Sequence, residues 1–129
     1  MTAYNFHPGP PTYPGSHAAS FAIYEGAEHF GGTAHVMEEK VDCGPIVAAE
    51  WFVMPEKARF LDLEIKTYEL LLKLFADLAP HFATSDDALP EIDAKWSGVK
   101  HTKAEFEAMK VLEADMEEAE INRRYLAFG

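Results

Sequence analysis

Basic residues are scarce: 11 Lys and Arg stand against 22 Asp and Glu, a formal net charge of −11 over 129 residues. That balance argues against a broad electrostatic hold on nucleic acid, although it leaves room for a local basic patch. Cysteine occurs once, at Cys43, so no internal disulfide can form and a reducing compartment, the cytoplasm, is the expectation. No apolar run is long enough to cross a bilayer, so no membrane partner is expected. Internal repeats, low-complexity tracts and interdomain linkers are missing, and 1–129 reads as a single domain large enough to bury a core. Tight His and Cys pairs are missing too. His7, His17, His29 and His35 are spread along the chain and Cys43 stands alone, so no bound metal is expected. A cysteine nucleophile is equally unsupported, because Asp42 beside Cys43 repels a thiolate.

What is present begins with a short strand, Ala3 to His7. Pro8, Pro10, Pro11 and Pro14 then forbid regular structure as far as Gly15. Ser16 is the expected N-cap of a helix from His17 to Tyr24, with Gly26 ending it. Phe30 to Met37 and Gly44 to Met54 alternate or are β-rich, and the polar link between them predicts an antiparallel hairpin. Leu61, Ile65, Tyr68, Leu72, Phe75 and Ala79 recur every three or four residues, which predicts a long helix that Pro80 ends. A polar loop from Thr84 to Gly98 contains Trp96. Thr102 and Glu105 form a capping box that opens a last helix running toward Arg124. The fold class is therefore α/β: a small mixed sheet with a β-hairpin, a long helix and a C-terminal helix.

In the first strand Asn5 and His7 share a face, because alternate residues of a strand point the same way. The strand thus ends by displaying two polar groups above a stiff loop, a common way to build an active site. Asp42 follows the hairpin connection and precedes Gly44, which places it at a strand end. Each residue has a plain reading: Asn5 as a turn former, His7 as a packed ring, Asp42 as a solvated acid. The three gain meaning from their surroundings.

"NFHPGPPTYPG" followed by "GGTAHVMEEKVDCGPIV" resembles the second half of the formyltransferase domain, the family of methionyl-tRNA formyltransferase and the sugar N-formyltransferases. Asn5, His7, Pro8, Tyr13, Gly15, Gly26, Gly32, Thr33, His35, Met37, Asp42, Gly44, Pro45 and Ile46 match its signature in order. The resemblance is close over roughly the first 50 residues, and "INRRYLAF" resembles a segment near the end of the domain in some members. It implies catalytic roles for Asn5, His7 and Asp42, with Pro8, Tyr13, Gly15, Thr33, His35 and Gly44 supporting the site or lining its cleft. It also implies 10-formyltetrahydrofolate as cofactor and an amine as acceptor. The chemistry suits those residue types. Asn5 and a protonated His7 can donate to the oxygen on which charge builds, while Asp42 holds the imidazole in its charged form and relays a proton.

Relatives carry a doubly wound βαβ region ahead of the Asn-x-His motif. The expectation is therefore the C-terminal half of a formyltransferase-like fold, incomplete without an N-terminal half. A homodimer or a complementing N-terminal half is the expected partner, since an uncovered apolar strand edge invites pairing. The alternative expectation is a non-catalytic binding or assembly module derived from a formyltransferase.

Overall fold

The computed structural model describes residues 2–40 and 42–129. Among them, the elements in chain order are β1 (Tyr4–His7), α1 (Ala18–Glu25), β2 (His29–Val36), β3 (Ile46–Val53), α2 (Phe60–Thr84), α3 (Lys103–Met109) and α4 (Glu118–Phe128). The strands make one sheet in the order β1-β2-β3. The α/β class, the hairpin and the long helix are as the sequence predicts. Strand direction differs: a mixed sheet was expected, and both pairings are antiparallel. The loop and α1 reverse the chain beyond the His7 end of β1, so β2 returns alongside it. A parallel neighbour would have to pair with the other edge of β1, where the described residues place no strand.

The pleat divides the sheet into two tasks. Opposite residues in the register, Tyr4 with Val36 and Phe6 with Ala34, share one face, and Phe30 pairs with Phe52 on the same side. That face receives α2. Leu71 and Leu74 pack on Ala34 and Val47, while Leu63 meets Phe30 beneath α1. Phe30 and Leu63 are completely buried, and each removal from water stabilises the fold by about 1.5–3 kcal/mol. The other face carries Asn5 opposite His35 and His7 opposite Thr33. Phe21, Ala127 and Phe128 join α1 to α4 in a separate cluster.

Three boundaries depart from the sequence pattern. Ser16 does not cap α1; the capping position is His17, in the left-handed region at φ 61° without a side-chain cap bond. Its ring lies flat on Phe106 with centroids 3.8 Å apart, so stacking fixes the helix entry. Pro80 does not end α2, which runs on to Thr84. A proline near a helix end forfeits one backbone hydrogen bond. Phe82 beyond it packs on Tyr4 and Phe75, and Thr84 Oγ1 donates to the Pro80 carbonyl at 2.6 Å. The last helix is two. The Thr102–Glu105 capping box opens α3, which stops at Met109, and the Arg124 guanidinium donates to the Met109 and Val111 carbonyls there. Those donors satisfy carbonyls that a continuing helix would have bonded internally.

Candidate active site

Pro8 stops β1, and the loop behind it folds back over the strand end. Gly9 makes this possible, because a Cβ there would stand 2.7 Å from His7 Nε2 and 2.9 Å from Ala18 Cβ. Three bonds fasten the loop. Thr33 Oγ1 donates to the Gly9 carbonyl at 2.8 Å, His7 Nε2–H donates to the Tyr13 carbonyl at 2.7 Å, and Gly15 N–H donates to Asp42 Oδ2 at 3.0 Å.

Asp42 arrives from the β2–β3 connection with φ at 54°, a left-handed conformation that Asp enters more readily than most residues. The turn aims its carboxylate at two imidazoles: Oδ2 lies 3.3 Å from His7 Nδ1, and Oδ1 lies 3.2 Å from His35 Nε2. Gly44 lets this turn press on the end of β2, since a Cβ would collide with the Val36 carbonyl. Its own carbonyl accepts from Trp96 Nε1–H at 2.8 Å. His35 donates from Nδ1 to the Val36 carbonyl at 2.9 Å and turns Nε2 toward Asp42, with the Asn5 amide nitrogen 3.3 Å away. Asn5, His7, His35 and Asp42 are thus one connected network, and the last three are at most 4% exposed.

Burial lowers the His7 pKa from its ordinary 6.5. The Asp42 carboxylate and the Tyr13 carbonyl pull upward, while His35 and Lys100 add to the lowering. For Asp42 burial pushes upward, but the His35 hydrogen bond, the His7 ring and the Gly15 N–H together outweigh it, and the carboxyl titrates below its ordinary 3.8. Tyr13 is raised by burial and by its hydrogen bond to Glu25.

The network opens on a cleft of about 240 Å³ lined by Asn5, His7, Pro8, Gly15 and Asp42, with Glu64 reaching in from α2. A larger hollow of about 470 Å³ between α3 and α4 shares none of these residues and carries no part of the network. Among the described residues no group of three or more His, Cys, Asp and Glu is arranged to hold a metal. Among the described residues no helix is long and apolar enough to cross a membrane. The residues singled out in the sequence divide by contribution. Gly15 and Tyr13 bond to the network through their main chains, Thr33 ties the loop to β2, and Pro8 and Gly44 shape the walls. His35 is more central than a supporting residue, because it touches both Asn5 and Asp42. The motif marks neither Trp96, which touches both imidazoles, nor Glu64, which lines the cleft. A lone tryptophan in an otherwise polar loop was the available signal for the first; nothing in the spacing of α2 pointed to the second.

The sequence model of the family described as "Formyl transferase" matches residues 2–68 of the 129. The chain belongs to the formyl transferase family. Solved structures share its fold. A 4-N formyltransferase from Francisella tularensis is 21% identical, with a TM-score of 0.82 over 98% of this chain and 52% of its own. An N-formyltransferase from Helicobacter canadensis, determined with folinic acid and dTDP-3-aminofucose, is 17% identical, with a TM-score of 0.76 over 97% of this chain and 46% of its own. HypX from Aquifex aeolicus, in complex with tetrahydrofolic acid, is 23% identical, with a TM-score of 0.79 over 98% of this chain and 22% of its own. This formyl transferase chain spans about half the length of the two N-formyltransferases and less of HypX.

Proposed function

We propose that this formyl transferase chain carries the reacting residues for formyl transfer from a 10-formylfolate to an amine. The observation that carries the reading is the convergence of Asn5, His7 and Asp42 on one cleft, with a His7–Asp42 separation of 3.3 Å. The amine nitrogen attacks the formyl carbon, and negative charge gathers on the formyl oxygen. The Asn5 amide and His7 Nε2–H, which the Tyr13 carbonyl holds at rest, donate to that oxygen. As that charge builds, Asp42 offsets part of the burial that disfavours a protonated His7 ring, and its carboxylate takes up the proton the amine gives off. The bond from carbon to the folate nitrogen then breaks, and that nitrogen leaves with the proton that Asp42 took from the amine.

The site takes its donor with the help of a complementary half of the fold, whether on the same polypeptide or another. Two surfaces support this. β1 pairs only with β2 among the described residues, which leaves its outer edge open. Leu61, Ile65, Tyr68, Leu72 and Phe75 form a stripe along α2, each more than half exposed. Phe75 packs on Phe6 of β1, whereas the flank over β3 is polar, with Lys66 above Phe52 and Lys73 paired to Glu50. The apolar flank therefore overhangs the open strand edge, and one partner can cover both. Asp62, Glu64 and Glu69 border the stripe, so a second copy would bring like charges together.

The test supplies an N-terminal βαβ half to the chain and follows the N-formyl product by mass spectrometry. Turnover that His7→Ala lowers by about a hundredfold or more, with the fold intact, is the expected result. Tight folate binding without turnover, unaffected by His7→Ala, would favour the non-catalytic module instead.

A further inference from the structure

The segment from 85 to 101 has no helix or strand, yet it is pinned at several points to the sheet and to the loop behind β1. Leu89 N–H donates to Tyr4 Oη, Ile92 N–H to the Ile46 carbonyl and Ser97 N–H to the Pro11 carbonyl. Between the last two anchors it delivers Trp96. The indole meets the His7 ring at 5.6 Å and 68°, and the His35 ring at 5.1 Å and 84°, both edge contacts. Its N–H holds the Gly44 carbonyl two residues beyond Asp42. One side chain thus touches both imidazoles and the turn that presents their shared carboxylate.

We propose that Trp96 is a positioning residue of this site: it fixes the planes of the His7 and His35 rings, seals them from water on the side away from the cleft, and holds the Asp42 turn in its left-handed conformation. The inference rests on reading the network as the active site, and it adds a residue outside the stretch matched by the family model. The physical case is one of restraint. An imidazole with two ring nitrogens in hydrogen-bond reach of oxygen can still rock about its ring axis, and a perpendicular aromatic neighbour removes that freedom. Asp42 alone cannot do so, since its carboxylate is shared between two rings. The left-handed turn also needs support from its surroundings, because side-chain-bearing residues enter that conformation at a cost.

The groups facing His7 are Asp42 from the hairpin connection, His35 from β2, Lys100 from the Trp96 segment and the Tyr13 carbonyl. Those facing His35 are Asp42, Asn5 and His7. Trp96→Leu and Trp96→Phe remove none of these groups, so a change in His7 titration reports the loss of the indole, acting on the ring directly or through the Asp42 turn.

The experiment follows the ring protons of His7 and His35 by NMR across pH in the wild-type chain and in both variants, with folding checked by circular dichroism. Burial holds the His7 midpoint down, so opening the sealed side with Trp96→Leu should raise it by about half a unit or more. Trp96→Phe keeps a ring but loses the N–H, and should move it in the same direction by less. Trp51→Phe, on the exposed part of β3, should leave both midpoints where they were. If Trp96→Leu does not fold, Trp96→Phe decides by the same criterion. A His7 midpoint that agrees with wild type to about 0.1 unit in a folded Trp96 variant would overturn the proposal. No donor or acceptor is needed, so a failure of formyl transfer and a failure of this positioning role are read separately.

Discussion

His7 is the residue on which opposed effects meet. Its burial disfavours the charged ring, and Asp42 favours it, with burial prevailing. The consequence for stability follows from proton linkage. An unfolded ring titrates near the ordinary 6.5 and the folded ring below it, so above that value neither form is charged and nothing is lost. As pH falls below 6.5 the unfolded state takes up the proton first, and stability drops until the folded pKa is passed. Asp42 adds a lower stage with its own sign: its depressed pKa stabilises the fold above about 3.8, and that contribution disappears as pH falls through the folded value. A thermal-unfolding series should therefore show Tm level at and above neutrality and declining below 6.5, with the upper stage absent in His7→Gln. A Tm that holds steady from about pH 7 to about pH 5 would contradict this account. The sequence made these residues legible because the strand period puts Asn5 and His7 on one face and the motif order supplies Asp42. The place of His35 between Asn5 and Asp42 was not legible. It depends on which ring nitrogen meets which oxygen, and that is set by the register of β1 on β2.

At the scale of elements, the long helix was readable in its existence and misread at its end. Periodicity picked out Leu61, Ile65, Tyr68, Leu72 and Phe75, but it could not say which apolar side chains the sheet would take, and the core takes Leu63, Leu71 and Leu74 instead. The structure divides them: Leu63 is completely buried, and Leu72 is 71% exposed. Leu63→Ala should accordingly cost about 2–5 kcal/mol, through lost burial and the cavity it leaves between α1 and Phe30. Leu72→Ala should stay within about 0.5 kcal/mol in the chain alone. Denaturant midpoints of the two variants check this, and equal losses would mean that the exposed stripe is covered in solution. The break between α3 and α4 lay beyond sequence reasoning for a related reason. It is stabilised by Arg124, which comes from the following helix to satisfy the end of the preceding one. Pro80 shows the same tertiary override, since the packing of Phe82 on Tyr4 outweighs one missing hydrogen bond.

At the scale of the whole molecule, the cleft is lined by Asn5, Phe6 and His7 of β1 and by Glu64 of α2, the two elements that carry the open edge and the apolar flank. A complementary half seated there should bury well over about 1,000 Å² in total. Light scattering across a concentration series is expected to give a monomer for the chain alone in low salt, where like charges around the stripe repel, and a one-to-one complex once the complementary half is added. A stable dimer that persists at low salt would assign the surface to self-association instead. The sheet also sets a rule for insertions and deletions. β2 is committed on both faces, with Phe30, Ala34 and Val36 toward α2 and Thr33 and His35 toward the site. A change of one residue in its length would exchange the two sets, sending imidazole into the core and methyl groups into the cleft at once. Length variation among descendants of this chain must therefore fall outside β2, and the strand itself can drift only by substitution.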